Sequence, residues 1–373
     1  MSAEIVGTTP LGLYLHVPFC RTRCRYCDFY RVGENAERQQ AFLGALAREI
    51  DGLHTYTGAS VDTIFFGGGT PSLLEPEQIA DVMTRLRERF AIQPGTEVTL
   101  ESNPSDLSVE RLRGYREAGV NRLSIGVQSF NDRELRLIGR RHDAERAQSA
   151  VGWAREAGFE NLSIDLMIAV PGQTEAGFAA TLKQAVALAP DHVSVYLLEV
   201  HEKSELDFLR RERPGLFPGE EAQRRRYLAT REAFTAAGFE HYEISNFCRP
   251  GRRSRHNLKY WRCEPFLGLG PAAHSAIGGK RWQHAADLAA YLENPQAVEQ
   301  AASDLTSERV FLGLRLADGV AVEDVRNAAG LGEVAFNERL RSLSPFVTLE
   351  GGRLRLTAEG FLVSTPVLAG LLA

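Results

Sequence analysis

The chain has 373 residues, 44% hydrophobic and 24% charged, with a formal net charge of −5 at pH 7. This is the composition of a folded globular protein and excludes collagen-like or wholly disordered classes. The mild negative balance offers no basic field for nucleic acid or an anionic membrane.

No uncharged apolar run reaches the roughly 20 residues of a spanning helix. The longest, Pro265 to Gly279 and Gly360 to Ala373, are broken by Gly or Pro. The first ten residues, with Glu4 and no basic start leading into an apolar core, do not read as a secretory signal, so a cytoplasmic location is expected.

In chain order, the runs Leu13 to His16, Val61 to Phe66, Glu97 to Leu100, Arg122 to Val127, Asn161 to Ile168 and His192 to Leu198 predict strands. Between them Glu37 to Asp51, Glu77 to Phe90, Ser108 to Ala118, Ala144 to Ala157 and Ala176 to Leu188 predict amphipathic helices. Alternation of this kind predicts an α/β protein with a parallel sheet. Gly119, Gly158 and Gly238, each followed by an apolar residue, close helical patterns as left-handed caps. Six βα units make a partial (β/α)6 barrel or an open sheet, and either places chemistry at the C-terminal ends of the strands.

Glu220 to Ala237 predicts a further helix, whose Arg224-Arg225-Arg226 run sits among Glu220, Glu221 and Glu232 as a solvated face. From about residue 305 short helices precede Val347 to Leu349 and Arg353 to Leu356, which flank Gly351-Gly352. This predicts a hairpin in a small helical, winged-helix-like domain. Glu350 beside its turn argues for a packing role over nucleic-acid binding.

Five cysteines are too few for a disulfide scaffold, yet Cys20, Cys24 and Cys27 form a C-x3-C-x2-C run directly after the first strand. Three thiolates on one short loop can hold three irons of a [4Fe–4S] cube and leave the fourth open to an outside chelator. The alternative is a zinc site, completed by His16, Cys248 or Cys263 as fourth ligand. Gly67-Gly68-Gly69-Thr70 ends the second strand, where absent side chains let backbone groups approach a ligand. Glu101, Gln128 and Asp165 fall at corresponding levels on later strands; Asp165 interrupts the otherwise apolar Leu162 to Val170, where an unpaired acid would cost several kcal/mol.

These motifs in register, together with Leu15 to Cys20, Glu101-Ser102-Asn103-Pro104 and Gly126 to Phe130, resemble the coproporphyrinogen-dehydrogenase-like branch of the radical S-adenosylmethionine (SAM) superfamily. The resemblance runs from about Leu11 to the C-terminus. It implies a cluster on Cys20, Cys24 and Cys27, with SAM contacted by Tyr14, Tyr26, Gly68, Gly69, Thr70, Glu101, Gln128, Arg140 and Asp165. On physical grounds alone Arg140 reads equally as an exposed helix end. The implied organisation is a barrel over residues 1–240, an extension over 241–304 and the winged-helix-like domain over 305–373.

Within that branch the sequence resembles the HemW haem chaperone family, on three signs. Phe29 stands where the dehydrogenases carry a further cysteine, Cys20 lies near the start where they carry a longer extension, and His256-Asn257-Leu258-Lys259-Tyr260-Trp261 reads HNxxYW. The resemblance implies a protein that binds haem and passes it to an acceptor protein. The alternative is an oxygen-independent coproporphyrinogen III dehydrogenase. His256 is the expected haem ligand, with His274 second, since a neutral imidazole serves as an axial ligand. Tyr260 and Trp261 suit a porphyrin face, and Arg252, Arg253 or Arg255 its propionates. Further expected partners are an electron donor and, left open, a second copy of the chain; no nucleic acid is expected.

Overall fold

The computed structural model describes residues 9–301 and 305–372. The reading of the extreme N-terminus as lacking a signal falls on residues 1–8 and so lies outside the described residues.

Six strands pair in parallel and in chain order: β1 (Leu11–Val17), β2 (Ser60–Gly68), β3 (Ala91–Ser102), β4 (Arg122–Gln128), β5 (Leu162–Ile168) and β6 (His192–Leu197). The connecting helices are α1 (Ala36–Gly52), α2 (Pro76–Arg89), α3 (Val109–Glu117), α4 (Asp132–Leu137), α5 (Ala144–Glu156) and α6 (Glu175–Ala187), followed by α7 (Glu205–Glu212) and α8 (Glu220–Ala236). Asn35, Ser108, Asn131, Asp143 and Thr174 start their helices by accepting backbone N–H groups. Gly119, Gly158 and Gly238 close theirs with φ of 107°, 87° and 82°, a conformation that favours glycine.

Alternation along the strands divides the sheet into two faces. Leu13, Ile64, Leu100, Leu123, Ile164 and Val193 belong to the main hydrophobic core. Many of the intervening positions are polar, and strand register aligns these in rows. Glu101 pairs with Ser124, Ser124 with Ser163 and Ser163 with His192, while Asp165 pairs with Ser194. The inner face is therefore a polar interior, bonded within itself as burial demands: Ser124 donates to Asp165 at 3.2 Å, and His192 bonds Ser163 at 2.8 Å and Tyr242 at 2.8 Å.

The stretch 240–301 extends the sheet at both edges. Beyond β6 lie β7 (Glu240–His241) and β8 (Asn246–Cys248), with β8 antiparallel to β6; beyond β1 lie β9 (Phe266–Leu269), β10 (His274–Ile277), β11 (Lys280–Gln283) and β12 (Glu299–Ala301). The order is β12-β11-β10-β9-β1-β2-β3-β4-β5-β6-β8-β7. Helix α9 (Arg255–Trp261) joins β8 to β9 and so crosses between the edges of the six-strand unit. Its N-terminal N–H groups, from Arg255 and His256, donate to Glu97, and Lys259 meets Asp62 at 2.8 Å and the Pro10 carbonyl at 2.8 Å. Helix α9 thus closes the barrel at the end opposite the C-terminal strand ends. After α10 (Leu288–Glu293), α1 is tied to this region by buried Glu49, which accepts from Tyr291 and pairs with His284 at 2.7 Å.

The C-terminal module contains α11 (Leu305–Gly313), β13 (Val320–Ala321), α12 (Val322–Ala328), α13 (Glu333–Ser342), the hairpin β14 (Val347–Glu350) and β15 (Arg353–Leu356), then α14 (Ala358–Leu362) and α15 (Ser364–Leu372). Gly351 and Gly352 turn the hairpin with φ of 57° and 74°, as the tight turn requires. The module meets the barrel through Arg224 with Glu359 and through the rings of His241 and Phe361.

Candidate cluster and cofactor site

A cavity of about 370 Å³ opens at the C-terminal ends of the strands. Its walls include Cys20, Cys24 and Cys27 on one side and Glu101, Gln128 and Asp165 on the other. The loop after β1 carries the three thiols. The Cys20 thiol lies 3.4 Å from the Thr70 hydroxyl, Arg140 donates to Cys24 Sγ at 3.5 Å and Arg31 to Cys27 Sγ at 3.8 Å. Burial pushes the Cys20 and Cys27 thiols up from their ordinary value, with the neighbouring thiols adding to the rise. A bound metal centre supplies the positive charge that would hold them as thiolates.

The Gly67 to Thr70 turn is shaped by contact as well as by conformation. Gly68 has φ of 104°, and its N–H donates to Glu101 Oε2 at 3.2 Å. A Cβ on Gly69 would lie 2.7 Å from the Phe19 carbonyl oxygen and 2.8 Å from that of Val17. No side chain fits there, so the turn lies directly against the cluster loop.

Glu101 and Asp165 place two carboxyls on the same wall. Burial first, and then the nearby Asp165 charge, pushes Glu101 up to about 8. Burial raises Asp165 to about 6 against the lowering effect of hydrogen bonds from Ser194 and Ser124. A cationic ligand group, such as an ammonium or sulfonium, would relieve both. Gln128 ends β4 with φ of 68°, outside the usual range for a residue with a side chain, where the register between β4 and β5 shifts.

Arg140 is no exposed helix end. It is held by Asn103, by the Gly126 carbonyl and by Cys24, linking the cluster loop to the ends of β3 and β4. Tyr26 lines the cavity, and burial raises its hydroxyl. Tyr14 lies beneath the cavity rather than on its wall. Its ring stacks on Phe65 and His256, its hydroxyl meets His16 at 3.2 Å, and burial together with Glu101 raises it.

His256 is fully buried inside the barrel, away from this cavity. Its Nδ1 meets the Thr63 hydroxyl at 2.9 Å and its Nε2 the Tyr260 hydroxyl at 2.7 Å. Burial, reinforced by the Lys259 charge, holds the ring neutral with a pKa of about 3. Both nitrogens are occupied in this arrangement, so iron ligation by His256 would require one of these bonds to break. His274 is exposed on β10.

Sequence reasoning did not single out Ser124, Ser163, His192, Ser194 or Tyr196. The signal was present in the alternation Arg122, Ser124 on β4, Ser163, Asp165 on β5 and His192, Ser194, Tyr196 on β6. Asn103, quoted only within a motif, anchors Arg140.

The donor set fits an iron–sulfur cluster. Three thiols reach one cavity from one loop, and a cube asks each for a separate iron. Among the described residues no group of three or more His, Cys, Asp or Glu side chains converges on a single metal ion, the arrangement a closed zinc site needs.

Residues 14–185 match the model of the Radical SAM superfamily. The fold is that of a radical SAM protein. The chain is 38% identical to the heme chaperone HemW of Bacillus subtilis, covering 83% of this chain and 84% of that protein. It is 37% identical to HemW of Mycobacterium tuberculosis, covering 97% and 95%. Among solved structures, coproporphyrinogen III oxidase (HemN) from Escherichia coli, described as a radical SAM enzyme, superposes with a TM-score of 0.81 at 26% identity, covering 97% of this chain and 90% of that one. The chain belongs to the HemW family of the radical SAM superfamily.

Proposed function

We propose that the protein is a haem chaperone that binds haem and passes it to an acceptor protein, and that it also carries a [4Fe–4S] cluster and SAM. The observation that supports this best is the match to proteins named as heme chaperones over most of both chains. Cys20, Cys24 and Cys27 would hold three irons. Gly68, Gly69, Thr70, Gln128 and Asp165 would surround the bound methionine and ribose, with Glu101 accepting from the ligand's ammonium. Arg140 and Tyr26 would fix the cluster loop, and Tyr14 would support Glu101 from below. The cluster, when bound, supplies an electron and an open iron for the SAM amino and carboxylate groups; the protein's own residues orient the ligand and exclude water.

No described helix is long and apolar enough to cross a membrane. We place the protein in the cytoplasm, with an electron donor and an acceptor as partners; self-association is testable by light scattering.

The second reading, a coproporphyrinogen III dehydrogenase, is favoured by the close superposition on HemN. Incubation of reconstituted protein with coproporphyrinogen III, SAM and a reductant separates the two. The chaperone reading expects haemin binding and no sustained formation of protoporphyrinogen. Catalytic turnover would replace it with the second reading.

A further inference from the structure

A second cavity, about 680 Å³, lies between the C-terminal end of α9 and the C-terminal module. That volume is within the roughly 300–1,000 Å³ typical of small-molecule sites. The C-terminal end of helix α9 forms one wall through Trp261 and the following Arg262; α11, the loop after it, β13 and α12 form the others through Arg309, Val310, Leu316, Val320 and Ala328. The indole of Trp261 rests on the cluster of Tyr242, Cys248, Leu258 and Leu316 and keeps part of its surface open.

The cleft differs from the cluster cavity in which of its charges are left without a partner. Arg262 and Arg309 have no acidic partner among the described residues, and both reach the cleft. Arg353, also on the wall, donates to the Asp318 and Gly319 carbonyls. Of the acids present, Asp318 is paired with Arg253 at 2.9 Å, and Asp324 stands in the first turn of α12. The guanidiniums of the cluster cavity, by contrast, are already engaged: Arg140 is held by Cys24, Asn103 and Gly126, and Arg31 by Cys27 and the Phe29 carbonyl, while Glu101 and Asp165 line the same cavity. A flat, mostly apolar dicarboxylate is matched by the unpaired guanidiniums and the indole of the cleft.

Helix geometry explains why one motif serves both places. At about 100° per residue, Trp261 points about 140° away from His256. The histidine faces the barrel interior and the tryptophan faces the cleft.

We propose that this cleft receives the haem, with the porphyrin against Trp261 and its propionates on Arg262 and Arg309. This rests on the haem-chaperone reading and gives the C-terminal module a role as the second wall of the site. Haemin titration of the full-length, cluster-loaded chain tests it, following the Soret band. Arg262→Glu/Arg309→Glu should weaken binding at least about tenfold, roughly 1.4 kcal/mol, while iron and sulfide content stays unchanged. Ala328→Trp, which fills the cleft without altering charge, should weaken it as well. Arg133→Glu/Arg136→Glu, at exposed positions on α4, should leave it unchanged. Metal-free protoporphyrin should show the same dependence, because the contacts are to ring and propionates. Unchanged haemin affinity in both cleft variants, with loss in His256→Ala, would overturn the cleft and leave the chaperone reading standing. Absence of saturable haemin binding by the wild-type chain would overturn both.

Discussion

Glu101→Gln in the cluster-free chain probes the polar interior most sharply. A carboxyl moved from its ordinary 4.5 to about 8 keeps, in the folded state, a proton that the unfolded chain has lost. Folding stability therefore falls as pH rises between those values, at up to about 1.4 kcal/mol per pH unit, and levels off above 8. Between pH 5.5 and 8.5 the wild type should lose about 3 kcal/mol relative to Glu101→Gln, whose amide has no proton to release. Asp165, raised to about 6, contributes its own slope at lower pH to both proteins, so the difference between them isolates Glu101. Urea denaturation at the two pH values supplies the numbers. With the cluster loaded, SAM should release a proton near pH 7 from the wild type and none from the variant. Parallel pH profiles for the two cluster-free proteins would refute the reasoning.

Three other outcomes are expected. Gly69→Ala forces a methyl into the backbone of the cluster loop, so iron incorporation should fall at least severalfold on reconstitution while far-ultraviolet circular dichroism stays near wild type. Lys259→Ala leaves Asp62 and Glu264 without their buried cation and should cost about 3–5 kcal/mol in urea denaturation. Glu49→Ala strips partners from His284, Tyr291 and the Gly270 N–H at once, and a loss of similar size, about 3–5 kcal/mol, is expected from the same assay.

Much of this architecture was legible because local signals agree with the global fold. The six parallel strands and their helices follow from hydrophobic periodicity and from caps such as Gly119 and Gly158, and the hairpin at Gly351-Gly352 follows from its turn. The routing of residues 240–301 to both edges of the sheet was not legible, because short strands such as Asn246–Cys248 gain their meaning only from a neighbour. The placing of the three thiols on one short loop was legible because their C-x3-C-x2-C spacing is local. His256 did not announce its place: the HNxxYW pattern names residue types, but only the crossing of α9 under the barrel buries the histidine against Thr63 and turns Trp261 toward the C-terminal module. Arg140 was ambiguous for the same reason, since Asn103 and Cys24 reach it from distant positions in the chain.

The most direct measurement is elemental analysis of anaerobically reconstituted wild type beside the Cys20, Cys24 and Cys27 alanine variants, with SAM then added to the reduced protein under electron paramagnetic resonance. The account predicts about four irons and four sulfides per chain, their loss in the variants, and a SAM-dependent change in the spectrum. Stoichiometric zinc without sulfide, or an intact cluster after all three thiols are removed, would contradict it.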